Sequence, residues 1–253
     1  MRTYRSIGLG YLAIILLLGS ESSSATGEPT NETPSSRQIY FGVSIDPTYS
    51  PVVELGLKFA NGTVGACSGT VIGKRTILTA GHCVNKMKEI DVFFRGGRRV
   101  ILARHWWRHP QFRQLPNGRM DNDVGIVQLV GNVPAGIGSL SIASANFRRG
   151  ELFYVYGYGQ TESGGRDQLR GGSMRATAVN SLEIIAAYEA GESSTCYGDS
   201  GGPAIRAVNK GTPKQRLEVV AIISSGEPSC MTASFFSPVV SAGTRQFITQ
   251  HNQ

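Results

Sequence analysis

The sequence predicts an all-β fold on three observations. The chain has 32 glycines in 253 residues and only 17% charged residues, a composition typical of a globular, turn-rich protein. From residue 39 onward, short runs rich in Val, Ile, Phe and Tyr alternate with Gly, Asn, Pro and Ser turns. Their lengths and spacing are those of strands in a sandwich or barrel. A chain of this length can form one large all-β domain or two small ones.

Seven runs are predicted to be strands because each is apolar, of strand length and bounded by turn residues. They are Val52–Phe59, Thr70–Thr79, Asp91–Phe94, Arg99–Ala103, Val124–Val130, Leu152–Tyr158 and Leu217–Ser224.

One helix is predicted near the end of the chain, at about residues 238–250. Ser237 can cap it, and Pro238 suits a first helical turn. Val240, Phe247 and Ile248 would share one face of this helix, which we expect to pack against a barrel wall.

The first 38 residues resemble processed segments rather than part of a core. Residues 1–25 join a basic start, an apolar run and small residues, the pattern of a cleaved signal peptide, with an uncleaved anchor as the alternative. Residues 26–38 are polar and predict a pro-segment or flexible linker. We therefore expect a secreted product, extracellular or periplasmic, with no stable membrane span and with its folded domain at 39–253.

The positive charge belongs to the folded part. Residues 1–38 contain three basic and three acidic residues, so the net charge of +7 is the same without them. The arginines occur in short clusters without a nucleic-acid-binding motif, which favours a solvated basic face. We do not expect a nucleic-acid partner.

Four cysteines, Cys67, Cys83, Cys196 and Cys230, suggest disulfides in an exported protein, and three pairings are open. The chain has no CxxC spacing, so no metal site is expected.

The segment CYGDSGGP, residues 196–203, surrounds Ser200 with glycines, an aspartate and a proline. A serine hydroxyl is a poor nucleophile at neutral pH, so such surroundings indicate an activated serine that needs a base and an acid. His82, in LTAGHC directly after an apolar strand, is the best base. We interpret His105 and His109, in RHWWRHPQF, as surface packing, and His251 lies where chains fray.

The best acid is Asp123, at the edge of the apolar strand in DNDVGIVQLV, with Asp121 as the alternative. Burying such an aspartate is costly unless it accepts hydrogen bonds.

LTAGHC, DNDVGIVQL and GDSGGP occur in the order His, Asp, Ser, and they resemble the three signature segments of the trypsin/chymotrypsin-like serine peptidases. The resemblance covers nearly all of residues 39–253. It implies two six-stranded antiparallel β-barrels, at about 39–145 and 146–236, with the active site between them. It also implies a secreted serine endopeptidase with protein or peptide substrates, an activating peptidase and inhibitors as partners, and no cofactor.

By this resemblance Ser200 attacks the scissile carbonyl, His82 transfers the proton and Asp123 orients His82. The backbone N–H groups of Gly198 and Ser200 would form the oxyanion hole. The resemblance further implies that Cys67 pairs with Cys83 and Cys196 with Cys230.

IYFG, from Ile39, resembles the start of an activated family member, whose new amino terminus would pair with Asp199. Gln38 precedes Ile39 and Arg37 lies one residue further back, so our hypothesis is cleavage after Gln38.

Specificity is predicted from the pocket positions. Ser194 stands where trypsins have an aspartate, so the pocket floor is expected to be uncharged. Ser224, Ser225 and Gly226 stand where the family has Ser-Trp-Gly, so the wall lacks its tryptophan. Glu227, just beyond, is either a solvated loop charge or a carboxylate near the substrate.

The alternative function is a non-catalytic, basic binding protein on the same fold, using a patch around Arg104, Arg108 and Arg113. The complete triad favours the enzyme.

Overall fold

The first half of the folded chain is a closed β-barrel. The computed structural model describes residues 39, 42–160, 168–189 and 192–252, all within one unit of residues 36–253. The predicted signal peptide and pro-segment lie outside the described residues. The described strands and helix are β1 Val43–Ser44, β2 Val52–Phe59, β3 Val64–Val71, β4 Thr76–Thr79, β5 Met87–Phe94, β6 Arg99–Arg108, β7 Arg113–Gln114, β8 Met120–Asp121, β9 Gly125–Leu129, β10 Ser141–Ile142, β11 Leu152–Gly157, β12 Arg170–Arg175, β13 Ala178–Val179, β14 Ile184–Ala187, β15 Pro203–Val208, β16 Arg216–Gly226, β17 Ala233–Pro238 and α1 Ala242–His251.

The barrel closes in the order β2-β3-β4-β9-β6-β5, with antiparallel neighbours. Alternation explains its core: in β2, Val53, Leu55 and Leu57 are buried on one face of the strand. Full burial of such a side chain contributes about 1.5–3 kcal/mol. The first of the two predicted barrels is therefore present.

The second half forms a nine-stranded sheet. Its order is β1-β12-β11-β15-β16-β17-β14-β13, and β10 pairs with β16 in parallel. In the described residues β12 and β14 approach each other without a ladder between them, so this sheet is not a closed barrel like the first. Met174 of β12 and Ile184 of β14 nevertheless share one core with Phe153 and Phe236.

The predicted strand Val52–Phe59 matches β2 residue for residue. The predicted run Thr70–Thr79 is instead divided between β3 and β4. A turn at Gly73 separates the two strands, with the N–H of Ile72 bonded to the carbonyl of Thr76 at 3.0 Å. The composition of the run does not reveal this reversal, because both sides of it are apolar.

The helix is confirmed, but its predicted start is wrong. Ser237 and Pro238 belong to β17, where they pair with Ile222 and Ala221 of β16. The cap is Ser241, whose Oγ accepts the N–H of Thr244 at 3.2 Å. A Ser-Pro pair fits a strand end as well as a helix start, and strand pairing decides between them.

Phe247 and Ile248 of α1 are buried against the first core, as predicted. The prediction that Val240 shares their helix face is wrong, because Val240 precedes the cap at Ser241 and packs against the core of the second sheet. No helix among the described residues has the length and apolar character needed to cross a membrane.

The interpretation of His109 as a surface residue is wrong, because only 3% of it is exposed. Its ring contacts the Phe247 ring edge-on at 5.2 Å between centroids. Its Nδ1 accepts the N–H of Gln111 at 3.2 Å, which requires an unprotonated Nδ1. Burial lowers the pKa of His109 because the charged ring would lose its hydration.

This pKa shift predicts a pH dependence of stability. With its pKa lowered in the folded state, the stabilising effect of neutral His109 is complete above the ordinary value of 6.5 and is lost as pH falls below it. We expect His109→Asn, which keeps an acceptor for Gln111 but does not titrate, to lose less free energy of unfolding between pH 7 and pH 5. Urea unfolding at both pH values measures the difference. A slope equal to that of the wild type would contradict the prediction, and His105→Asn, at an exposed position, is the control.

Candidate active site

Asp123 is fully buried and satisfied by donors from both halves of the fold. Its Oδ1 accepts the backbone N–H of His82 at 2.8 Å, and its Oδ2 lies 2.8 Å from His82 Nδ1. The hydroxyl of Ser224 donates to Oδ2 at 2.6 Å, and the N–H of Asp123 bonds to Ser237 Oγ at 3.1 Å. The expectation that this aspartate is buried only with hydrogen bonds is met.

His82 begins a short 3-10 helix, His82–Val84, that is separated from the end of β4 by Ala80 and Gly81. Because Asp123 accepts at Nδ1, the neutral ring carries its proton there and leaves the Nε2 lone pair available. Asp121, the alternative acid, instead pairs with Arg113 at 2.7 Å.

Ser200 is held by backbone hydrogen bonds from both halves. Its carbonyl accepts the N–H of Ser68 at 2.7 Å, and the next N–H, of Gly201, bonds to Ile223 at 2.7 Å. The Oγ of Ser200 lies 3.5 Å from the carbonyl of Ser224. The hydroxyl therefore lies next to the strand that also supplies a donor to Asp123.

Both predicted disulfides are present, Cys67–Cys83 and Cys196–Cys230. The first lies between the base and the serine: Cys83 Sγ is 3.5 Å from His82 Nε2 and 3.8 Å from the carbonyl of Ser200. Closing a loop of this size contributes about 3 kcal/mol in the chain-entropy model.

Cys67, His82 and Cys83 place their ligand-type atoms within 4.8 Å of one another, which is metal-like spacing. Both sulfurs are bonded to each other in the disulfide, so neither is a thiolate that could bind a metal ion.

Two backbone carbonyls of the loop before Ser200 accept hydrogen bonds that fix its conformation. The N–H of Gln160 donates to the carbonyl of Tyr197 at 2.6 Å, and the hydroxyl of Ser68 donates to the carbonyl of Gly198 at 2.9 Å. In a trans peptide the N–H points opposite to the C=O. The N–H of Gly198 therefore points away from Gln160, and the φ of +96° at Gly198 suits glycine.

Asp199 is fully buried under this loop. Its Oδ1 accepts the N–H of Gly159 at 2.8 Å and its Oδ2 accepts the N–H of Cys196 at 2.9 Å. Ile39, the predicted partner segment, is 1% exposed and belongs to the core of the second sheet. The side chains of both predicted activation residues are therefore buried, and that of Ile39 packs in the core of the second sheet although Ile39 itself lies near the start of the folded chain.

His82 and Ser200 both line one cavity of about 220 Å³. Its lining residues are His82, Met120, Thr195, Cys196, Tyr197, Ser200, Ile223, Ser224, Ser225, Gly226, Glu227 and Cys230. Three of the four predicted specificity residues, Ser224, Ser225 and Gly226, thus face it. Glu227 is exposed to solvent and also lines the cavity, so the structure agrees both with a solvated charge and with a carboxylate beside the cavity.

Ser194 lies beneath the cavity rather than on its surface. It is fully buried, with its Oγ 3.4 Å from Ser234 Oγ, and Ser234 accepts the N–H and hydroxyl of Thr195 at 3.2 and 2.8 Å. Thr195, which is itself buried, is therefore the residue of this uncharged hydroxyl cluster that lines the cavity.

Several residues of the site escaped the sequence analysis, among them Ser68, Ser237 and Met120 and the cavity residues Thr195, Tyr197 and Ile223. Ser68 bridges Gly198 and the N–H of Tyr158 (2.9 Å), Ser237 accepts from Asp123, and Met120 lines the cavity. Ser68 follows directly after Cys67, which is the one local signal available. Met120 directly precedes the segment that contains Asp121 and Asp123, which is its local signal, and nothing near Ser237 in the sequence indicates the site.

The fold and the cleft define a β-barrel serine hydrolase. The family model described as Trypsin matches residues 44–245. The chain belongs to the trypsin family of serine endopeptidases.

Individual relatives are distant. A chymotrypsin of Phaedon cochleariae is 26% identical over 242 residues, covering 77% of this chain and 84% of that protein. Alkaline trypsin C of Manduca sexta is 27% identical over 166 residues, covering 54% of this chain and 64% of that protein. A solved structure, HL collagenase, matches with a TM-score of 0.67 at 20% identity, over 83% of this chain and 97% of that one. At that identity the structural likeness establishes the fold alone.

Gly201 is predicted to tolerate no side chain. Its φ is +83°, and an added Cβ would clash with the carbonyl of Ser68 and with Thr79 Oγ1 and lie 2.9 Å from the backbone N of Ala80. We expect Gly201→Ala to lower the free energy of unfolding by about 3 kcal/mol or more. Gly211→Ala is the control, since Gly211 has φ +76° and nothing within 4 Å of its added Cβ. It should cost about 1 kcal/mol. Equal losses by urea unfolding would contradict the prediction.

Proposed function

We propose that this chain is a secreted endopeptidase that hydrolyses peptide bonds through an acyl-enzyme on Ser200. One observation carries the proposal: buried Asp123 binds Nδ1 of His82, while His82 and Ser200 line the same cavity. A serine nucleophile needs such an oriented base, and the arrangement leaves Nε2 to accept its proton.

In the first half-reaction the Oγ of Ser200 bonds to the substrate carbonyl carbon as its proton passes to His82 Nε2. The C–N bond then breaks, and the leaving amine takes that proton. Water then attacks the acyl carbon as one of its protons passes to His82, the bond between that carbon and Oγ breaks to release the acid, and Ser200 Oγ takes the proton back from His82. Asp123 stays ionised and stabilises the charged imidazole between these steps.

The carbonyl oxygen becomes an oxyanion in each tetrahedral intermediate. We assign its stabilisation to the N–H groups of Gly198 and Ser200. The orientation of the peptide between Tyr197 and Gly198, whose carbonyl accepts the N–H of Gln160, supports this assignment. Removing one such donor typically lowers kcat by about 10²–10³-fold.

The floor of the cavity favours an uncharged side chain before the scissile bond. Thr195, Ser194 and Ser234 present hydroxyls rather than a carboxylate. Glu227 lies at the exposed rim, where solvent screens its charge. The proposed substrates are therefore proteins and peptides cleaved after uncharged residues.

Secretion and processing complete the proposal. All four cysteines are paired, which fits an oxidising compartment. We also infer that the nine-stranded sheet is the wall of a second six-stranded barrel, since β12 and β14 share its core. An activating peptidase and inhibitors are proposed partners.

The basic binding function has weaker support. Arg108 bonds to Asn85 Oδ1 at 2.8 Å and Arg113 pairs with Asp121, so two of the three arginines are already engaged.

A peptide panel tests the proposed reaction and the pocket together. Substrates that differ only at the residue before the cut are incubated with the processed protein and with Ser200→Ala. We expect cleavage after uncharged residues, and a loss of at least about 10⁴-fold in Ser200→Ala. Absence of cleavage by protein with a free Ile39 amine would reject the enzyme. Fastest cleavage after arginine, lost in Glu227→Gln, would instead assign specificity to Glu227.

Processing is predicted to occur after Gln38. Burial of the Ile39 side chain in the second core supports a start at this residue. Amino-terminal sequencing of the active secreted form should give Ile39. A start at Gln38, or an uncleaved chain with full activity, would rule this processing out.

A further inference from the structure

The hairpin β7–β8 carries a cleft residue without belonging to either large sheet. In the described residues β7 and β8 pair with each other in a two-stranded sheet of their own. Met120 of β8 lines the cavity that holds His82 and Ser200. A hairpin this small is marginally stable by itself, so the position of Met120 depends on what else holds it.

Arg119, directly before β8, joins the hairpin to the second sheet. Its Nε donates to Glu183 Oε1 at 2.7 Å and its Nη2 pairs with Glu183 Oε2, so the contact is bidentate. Its guanidinium also lies over the Phe235 ring, 4.8 Å from the centroid. The side chains of Arg119 and Glu183 are 34% and 12% exposed, so solvent screens this pair less than it screens a surface pair.

Glu183 and Phe235, the residues that Arg119 contacts, are themselves held by the second sheet. Glu183 directly precedes β14, and its N–H bonds to Asn180 Oδ1 at 2.8 Å. Phe235 lies in β17, next to Ser234 beneath the pocket floor. The ion pair therefore ties the hairpin to the start of β14, and the stacking on Phe235 ties it to β17.

We propose that Arg119 and Glu183 are positioning residues that hold Met120 in the wall of the substrate cleft. This inference rests on the proposed function. Ser225, which lines the same cavity, is small and polar, so Met120 supplies an apolar side chain that substrate residues extending along the cleft contact. Short substrates that do not reach Met120 do not depend on the pair.

The test compares two substrates of the processed enzyme. One is an N-acetyl amino acid ester, and the other is a peptide with four residues before the cut. We expect Arg119→Gln and Glu183→Gln each to raise KM for the peptide about fivefold, with kcat nearly unchanged, as for loss of a coupled contact. The ester kinetics should not change. Arg119→Lys, which keeps the charge but not the planar bidentate pair, should lie between the wild type and Arg119→Gln.

Two further variants separate positioning from general damage. Met120→Ala should raise the peptide KM similarly, and combining it with Arg119→Gln should add little. Arg113→Gln is the matched control on the same hairpin, because Arg113 pairs with Asp121 inside the hairpin and is 68% exposed. Equal losses on ester and peptide, additive effects with Met120→Ala, or an effect of Arg113→Gln as large as that of Arg119→Gln would overturn the proposal.

A second readout does not depend on catalysis. Hydrogen exchange of residues 113–121 should be faster in Glu183→Gln than in the wild type and Arg113→Gln. If the wild type cleaves neither substrate but this exchange difference is present, the proposed function fails and the ion pair still holds the hairpin. Unchanged exchange overturns the positioning role even in an active enzyme.

Discussion

The burial of one carboxylate constrains the rest of the structure. Asp123 has no access to solvent, and an unpaired charge there would cost several kcal/mol. The carboxylate accepts hydrogen bonds from His82 beside the first barrel and from Ser224 of the second sheet, and the backbone N–H of Asp123 donates to Ser237 on another strand of that sheet. The two halves must therefore meet at Asp123, and their cleft forms where they meet. The same bonds that satisfy the charge also set the tautomer of His82.

The loop around Ser200 is likewise held by hydrogen bonds that satisfy buried polar groups, in this case mostly backbone groups. Ser68 reaches from the first barrel to the carbonyl of Gly198, and Asp199 accepts two N–H groups beneath the loop. Together with the bond from the N–H of Gln160 to the carbonyl of Tyr197, these contacts fix the loop that we propose to hold the oxyanion. The Arg119–Glu183 pair applies the same principle at the cleft wall, where a first-half hairpin is held by a second-half strand. The contacts of Ser68 and of Arg119 cross between the halves, so the site forms only in the assembled fold.

The successes and errors of the sequence analysis have physical causes. β2 was predicted to the residue because its alternating apolar positions reflect a single buried face. The helix start was wrong because Ser237-Pro238 satisfies local rules for a cap and for a strand end alike. His109 was misplaced because its neighbours are arginines and tryptophans, whereas its own burial depends on α1, which follows more than a hundred residues later. Whether the second sheet closes into a barrel could not be predicted from local sequence, because closure depends on how closely β12 and β14 approach each other.

The sequence by itself determined the β-rich class, the family, the four cysteines and the three residues around which the proposed chemistry is built. These features are local, because each depends on a short segment whose residue types are needed at fixed spacing. Tertiary structure alone decided that Ser224 and Ser237 serve Asp123, that Ser68 supports the Gly198 loop and that Met120 faces the cavity. Such roles depend on distances between strands far apart in the chain. Residue type at one position carries no information about those distances.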